Sequence, residues 1–323
     1  MDPAVSVVIP AYGVARYIAE AIDSVLVQTF REFEIIVVND GCPDSASMEA
    51  VLAPYIAAGE INYVRQENRG LAGARNTGIR AAKGEFVAVL DGDDRLRPEA
   101  LEVWTGIMRS NTGTGLVYGN GMFFGGTQRD GQDLMTTYPS PGRFVTFADL
   151  VTRKANSVGC AMFRRDRLFE IGLYDEVLRK AEDYDIALRM AKSGAVVENT
   201  KAIVFDYRLR PDGLSQSGGD IRAWRVHVLE KHRKQPDLSP AETEIIAGEL
   251  RYQCAMQALD DSRVALRSGD YARARSRFRD ANPGGISIRR ICISAALLIW
   301  PGALRRFVLL RESRSREAKQ IAR

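Results

Sequence analysis

Three carboxylates grouped around one glycine, Asp91-Gly92-Asp93-Asp94, close the apolar run Phe86–Leu90. Acids this close repel one another unless a cation or several donors share the charge. A hard divalent metal that bridges to phosphate oxygens is the simplest such partner. Pro10-Ala11-Tyr12 and Asn39-Asp40 also end apolar runs. A second acidic cluster, Glu182-Asp183 with Asp185, by itself does no more than favour the dipole of a helix N-terminus. Softer metal chemistry is poorly supplied. The two histidines, His227 and His232, are spaced badly for shared ligation on one helix, and a solvated helical face is their expected place. Cys42, Cys160, Cys254 and Cys292 lie far apart with no C-x-x-C pair, which reads as reduced thiols rather than a zinc cage or a disulfide framework.

The elements that must carry these residues alternate. Val5–Ile9, Glu34–Val38, Ile61–Val64 and 86–90 are short apolar runs of the kind buried on both faces of a parallel sheet. Between them, Ala15–Gln28, Met48–Ala57 and Gly73–Ala82 have helical periodicity. This βαβα order implies an α/β fold, a mostly parallel, doubly wound sheet with helices on both faces. On such a sheet 10–12, 39–40 and 91–94 all follow the carboxyl ends of strands, where open α/β sheets bind ligands. Asn68 and Arg75 flank one strand-to-helix connection. Each acid or amide alone is a turn or helix cap; together they describe a ligand crevice. There is no G-x-G-x-x-G after the first strand and no G-x-x-x-x-G-K-[ST] anywhere, so phosphate must be held by metal and arginine.

V-S-V-V-I-P-A-Y, E-I-I-V-V-N-D-G, N-R-G-L-A-G-A-R-N-T-G-I-R-A-A-K-G-E-F and V-L-D-G-D-D follow one another in that order. The set resembles the family-two glycosyltransferases, inverting enzymes of GT-A fold that use nucleotide-activated sugars, over roughly residues 4–215. The resemblance implies a nucleoside pocket lined by Pro10, Ala11 and Tyr12, with the Tyr12 ring stacked on a base. It implies that Asp40 accepts a hydrogen bond from the base, with uracil favoured and thymidine or guanosine donors left open. Asn68 and Arg75 match positions that close over the base and the phosphate side. Asp91 and Gly92 match the ribose side of a D-x-D element, and Asp93 its ligand to Mg²⁺ or Mn²⁺. Gly159–Arg165 and Gly172–Glu176 resemble the strand and loop entering the acceptor half. Glu182 and Asp183 match the family's E-D element, with Asp183 the base that deprotonates the acceptor hydroxyl and Glu182 beside it. One position departs from the pattern: Arg210 stands where the family often has histidine. Arginine cannot ligate a metal, but it can pair with a diphosphate.

The 323 residues suit one catalytic domain over 1–220 (donor half to about 118, acceptor half from about 119) with a helical extension over 221–285. Helical periodicity there covers Ala223–Arg233, Ala241–Ala258 and Ser262–Asp280, and 265–274 resembles a single tetratricopeptide-like turn. The net charge of +4 is uneven: 251–323 holds 16 basic and 6 acidic residues, a net of +10, leaving −6 on the rest. Residues 286–323 form a basic, apolar tail that reads either as a monotopic anchor on an anionic membrane or as a helix pair packed on protein. Nucleic acid is not expected, since no recognised fold accompanies the charge. Val5–Ile9 begins almost at the first methionine, so no leader is expected and the expected compartment is the cytoplasm, with a peripheral place on the inner face of a membrane if the tail is an anchor. The acceptor would be a glycan or a lipid-linked glycan in surface polysaccharide synthesis. A sugar nucleotidyltransferase or a non-catalytic donor-binding scaffold are the competing readings; the first would be expected to carry a glycine-rich basic loop near the N-terminus.

Overall fold

The four apolar runs are strands β1 (Val5–Ala11), β2 (Phe33–Asp40), β3 (Asn62–Gln66) and β4 (Phe86–Val89). The computed structural model describes residues 2–140, 142–156, 159–210, 218–281 and 288–310. β1 pairs in parallel with β2 and β4, and β2 with β3. Every residue of β1 and β4 is buried, as continuous apolar runs require when helices cover both sheet faces. The crossovers are the helices Ile18–Leu26, Ser45–Ala57 and Gly70–Ala81. Gly78 lets the last of these lie hard against β1: a Cβ there would sit 2.3 Å from Val8 Cγ1.

The remaining strands are β5 (Arg95–Leu96), β6 (Thr114–Phe124), β7 (Phe144–Val145), β8 (Ala161–Arg164) and β9 (Val196–Arg208). The sheet runs β3-β2-β1-β4-β8-β6-β9-β5, with β7 also on β9. β8 enters antiparallel between β4 and β6, so the parallel order holds for the first half and the second half is mixed. β9 has no counterpart in the sequence reading. Its alternation is broken where Lys201 takes φ 58° and the register with β6 shifts. Yet β9 delivers Arg208 and Arg210 to the end of β4. The stretch 120–146 holds the end of β6, the short helix Leu134–Thr137 and β7.

Two compact units divide at 228/229. In the second, Pro240–Ser268 is one helix opened by a Ser239/Glu242 capping box, and it does not break near 258–262 as its polar sequence suggests. The reason is Ser262: it faces inward and its hydroxyl donates to the Ala274 carbonyl at 2.7 Å. The turn comes at Gly269 (φ 87°), so the expected helix Ser262–Asp280 is the end of one helix and all of the next, Tyr271–Asp280. His227 is exposed, but His232 is fully buried, which corrects the solvated face expected for it. Cys42, Cys160 and Cys254 are free thiols; Cys292 lies outside the described side chains.

Candidate active site

A cavity of about 530 Å³ opens at the carboxyl ends of β1, β2 and β4. Pro10, Ala11 and Tyr12 form one wall, Asp40 and Asn68 another, and Asp91, Gly92 and Asp93 the floor. Arg210 closes the far side, on the chain leaving β9. Tyr12 is half exposed where it lines the cavity. Asp40 is buried, and its Oδ1 accepts from Gln66 Nε2 at 2.7 Å and from the Arg69 backbone N–H at 2.8 Å. Both bonds fall on one oxygen, which leaves Oδ2 for a donor in the cavity.

Each acid of the Asp91–Asp94 group has an arginine. Arg75 Nη2 meets Asp91 Oδ1 at 2.7 Å, and Arg210 Nη1 meets Asp93 Oδ2 at 3.1 Å. Asp94 is buried, and its Oδ1 accepts the Arg208 backbone N–H at 2.7 Å, pinning the end of β9. Arg208 in turn donates to the Asp93 carbonyl at 2.8 Å and lies over the rings of Phe124 and Tyr17. Two of the three carboxylates are thus ion-paired with arginine, while Asp94 takes only a backbone N–H and the Arg208 guanidinium pairs with Glu20 at 2.7 Å. Burial, with Asp91 alongside, still holds the Asp93 carboxyl above its ordinary range against the pull of Arg210. Asp94 is pushed further up by burial and by Asp93 and Asp91.

The resemblance has Arg75 close over the base and the phosphate side; its side chain is 1% exposed and does not line the cavity. It spans two halves of the unit, holding Asp91 with one nitrogen and Glu182 Oε1 with another at 2.8 Å, with the Tyr174 ring at 5.3 Å. Its neighbour Asn76 donates to the Tyr174 carbonyl and accepts the Tyr174 N–H, each at 2.9 Å. Arg69 on the same segment meets Glu176 at 2.6 Å. One helix and the residue that leads into it therefore clasp the loop 174–176 and Glu182 to the cavity-bearing half of the sheet.

Glu182 and Asp183 open the helix Glu182–Lys192 and do not line the cavity. The preceding residue, Ala181, is buried in the left-handed region at φ 61°. A non-glycine residue there costs on the order of 1 kcal/mol, and such strain gathers at functional sites. Burial pushes the Glu182 carboxyl up to about 7, with Arg75 opposing and Asp183 reinforcing. Asp183 is raised as well, mainly by burial, while Arg75 and Arg225 hold it down.

For a divalent metal the donor set is right in kind and small in number. Asp93 offers carboxylate oxygen to the cavity, but no three His, Cys, Asp or Glu side chains gather as a cage among the described residues. That fits Mg²⁺ or Mn²⁺ taking most of its ligands from water and phosphate. Sequence reasoning missed Arg179. It reaches the cavity from the loop ahead of the helix Glu182–Lys192, is exposed, and has no hydrogen bond or ion pair among the described residues. Gly70 (φ 78°) makes room for it, since a Cβ there would lie 3.1 Å from Arg179 Nη1. No local pattern marks Arg179, because only the tertiary fold brings 179 to 70.

Residues 6–172 match the family described as Glycosyl transferase family 2. The uncharacterised glycosyltransferase EpsJ of Bacillus subtilis is 32% identical over 67% of this chain and 64% of its own length. Chondroitin synthase of Escherichia coli is 27% identical over 59% of this chain but only 27% of that protein. The chain thus spans less than two thirds of the length of these relatives. Among solved structures, residues 1–349 of S. aureus TarS with UDP-GlcNAc superpose with a TM-score of 0.65 at 18% identity, over 87% of this chain and 80% of that one. The mannosyltransferase PcManGT of Pyrobaculum calidifontis with GDP-Man and Mn²⁺ gives 0.64 at 20% identity, over 100% and 86%. The architecture is that of the GT-A fold.

Proposed function

Because the chain belongs to glycosyl transferase family 2, we propose that it moves a sugar, with inversion, from a nucleoside-diphosphate donor to a hydroxyl of a glycan or lipid-linked glycan. A UDP-sugar is the favoured donor, and the work belongs to surface polysaccharide synthesis on the cytoplasmic side of a membrane. The observation that carries this reading is the cavity that joins Tyr12, the Oδ2 of Asp40 and the Asp91–Asp93 floor at the ends of three strands. Stacking on Tyr12 and an imide N–H on Asp40 suit a pyrimidine base, with Asn68 at the rim. Asp91, held by Arg75, faces the ribose, and Arg179 with Arg210 meets the phosphates.

In the transfer step the acceptor oxygen attacks the anomeric carbon from the face opposite the diphosphate. The new C–O bond forms as the bond to phosphate oxygen breaks, and the electron pair leaves on the diphosphate. The acceptor proton passes to Asp183, whose raised carboxyl suits a base better than an ordinary aspartate would. Glu182, fixed by Arg75, orients that element. Asp93 would hold a divalent ion, which when bound would supply charge neutralisation for the leaving group. The test is a panel of nucleotide sugars with Mn²⁺ or Mg²⁺, following nucleoside diphosphate release. One UDP-sugar should dominate, and absence of turnover with every donor, acceptors supplied, would sink the reading. The nucleotidyltransferase alternative predicts pyrophosphate release instead, and Pro10-Ala11-Tyr12-Gly13 is no glycine-rich basic loop.

A further inference from the structure

The end of the second unit is a broken pair of helices, Ile288–Ile299 and 301–310, bent by 119° at the break. No single helix among the described residues is long and apolar enough to cross a membrane; the bent pair together has the length and composition, but one of its faces is spent on protein. Ile293, Leu297, Leu304 and Val308 turn inward, onto a cluster that includes Leu266 and Phe278 of the preceding hairpin. Arg305 Nε fastens the second helix by donating to the Arg267 carbonyl at 2.9 Å. A different set, Leu298, Ile299, Trp300, Phe307 and Leu310, stays outside, with Trp300 71% exposed. The two readings of this segment therefore describe two of its faces. One face is packed on protein and the other is bare.

Charge says what covers the bare face. From 281 to 311 the chain holds five arginines, Arg289, Arg290, Arg305, Arg306 and Arg311, and no acid. Apolar and aromatic side chains on a short helix flanked by arginines suit the interface of an anionic bilayer. Tryptophan favours headgroup depth. A second copy is a poor occupant, because the stretch 281–311 carries five positive charges and no acid to pair with those of its own kind. We propose that the bare face of this bent pair docks on an anionic lipid surface without crossing it, Trp300 entering the headgroup layer. The proposal extends the membrane-side location given above and does not depend on the sugar chemistry.

The full chain tests it by co-sedimentation with phosphatidylcholine vesicles with and without phosphatidylglycerol. Binding should require the anionic lipid and weaken as salt is raised. Trp300→Glu with Phe307→Glu, both on the bare face, should cut vesicle affinity about tenfold or more. Trp300→Phe should remove a blue shift of tryptophan emission that the vesicles induce. Failure of the full chain to bind anionic vesicles overturns the proposal, as does unchanged binding by the double variant. A concentration-dependent dimer abolished by the double variant would assign the face to a second copy and overturn it equally.

Discussion

At the residue scale the site assigns separate tasks to acids that look alike in the sequence. Asp183→Asn should lower turnover by about a thousandfold, the usual range for losing a general base, while leaving donor affinity near that of the wild type. Nucleoside diphosphate release and calorimetric titration read the two separately, and near-normal turnover would displace Asp183 from the role. Asp93 and Arg179 are expected to split donor binding differently. Asp93→Ala should remove the gain in UDP affinity that Mn²⁺ brings. Arg179→Ala should weaken UDP by about tenfold, the loss of one charge-assisted contact, and leave uridine unchanged. If Arg179→Ala lost both ligands equally, its contact would be with the nucleoside and not the phosphates. The D-x-D acids were legible as a group from spacing alone. Their partners were not, since Arg75, Arg208 and Arg210 come from other elements.

At the element scale the helix Gly70–Ala81 is the bracket between the two sides of the active site. Its Arg75 is buried between two carboxylates, so removing it leaves Asp91 and Glu182 without their shared cation. Arg75→Met should therefore cost roughly 3–5 kcal/mol of stability, as breaking buried ion pairs does. Adding Glu182→Gln should recover part of that loss at pH 8, because glutamine removes the cost of burying that carboxyl charged or of protonating it; urea unfolding of the two variants measures it. Purely additive losses would mean that the pair is not coupled. The apolar strands and amphipathic helices of the first half were legible because each buries a face at its own period. β9 was not, because a bulge at Lys201 breaks its alternation, and the hairpin break was misplaced because Ser262 spends its hydroxyl on tertiary contact.

At the scale of the whole molecule, buried acids set how stability responds to pH. Glu182, pushed up from 4.5 to about 7, holds a proton in the folded chain that the unfolded chain has already released. Its contribution is fully present below about pH 4.5 and is lost as pH rises through 7. Unfolding at pH 5 and pH 8 should show Glu182→Gln gaining on the wild type by roughly 2–3 kcal/mol across that window, most of the worth of a shift of this size. A difference that stays constant with pH would rule out the buried, protonated carboxyl. The molecule's charge asymmetry, −6 ahead of residue 251 and +10 after it, was visible in composition alone. The sequence by itself determined the parallel half of the sheet, the strand-end position of the donor residues and the family, because periodicity and ordered motifs are local properties. Only the tertiary structure decided that Arg75 lies under the site rather than in it, that Arg179 enters it, and which face of the tail is bare. Those facts depend on which distant segments meet, and burial and charge pairing are settled only where they do.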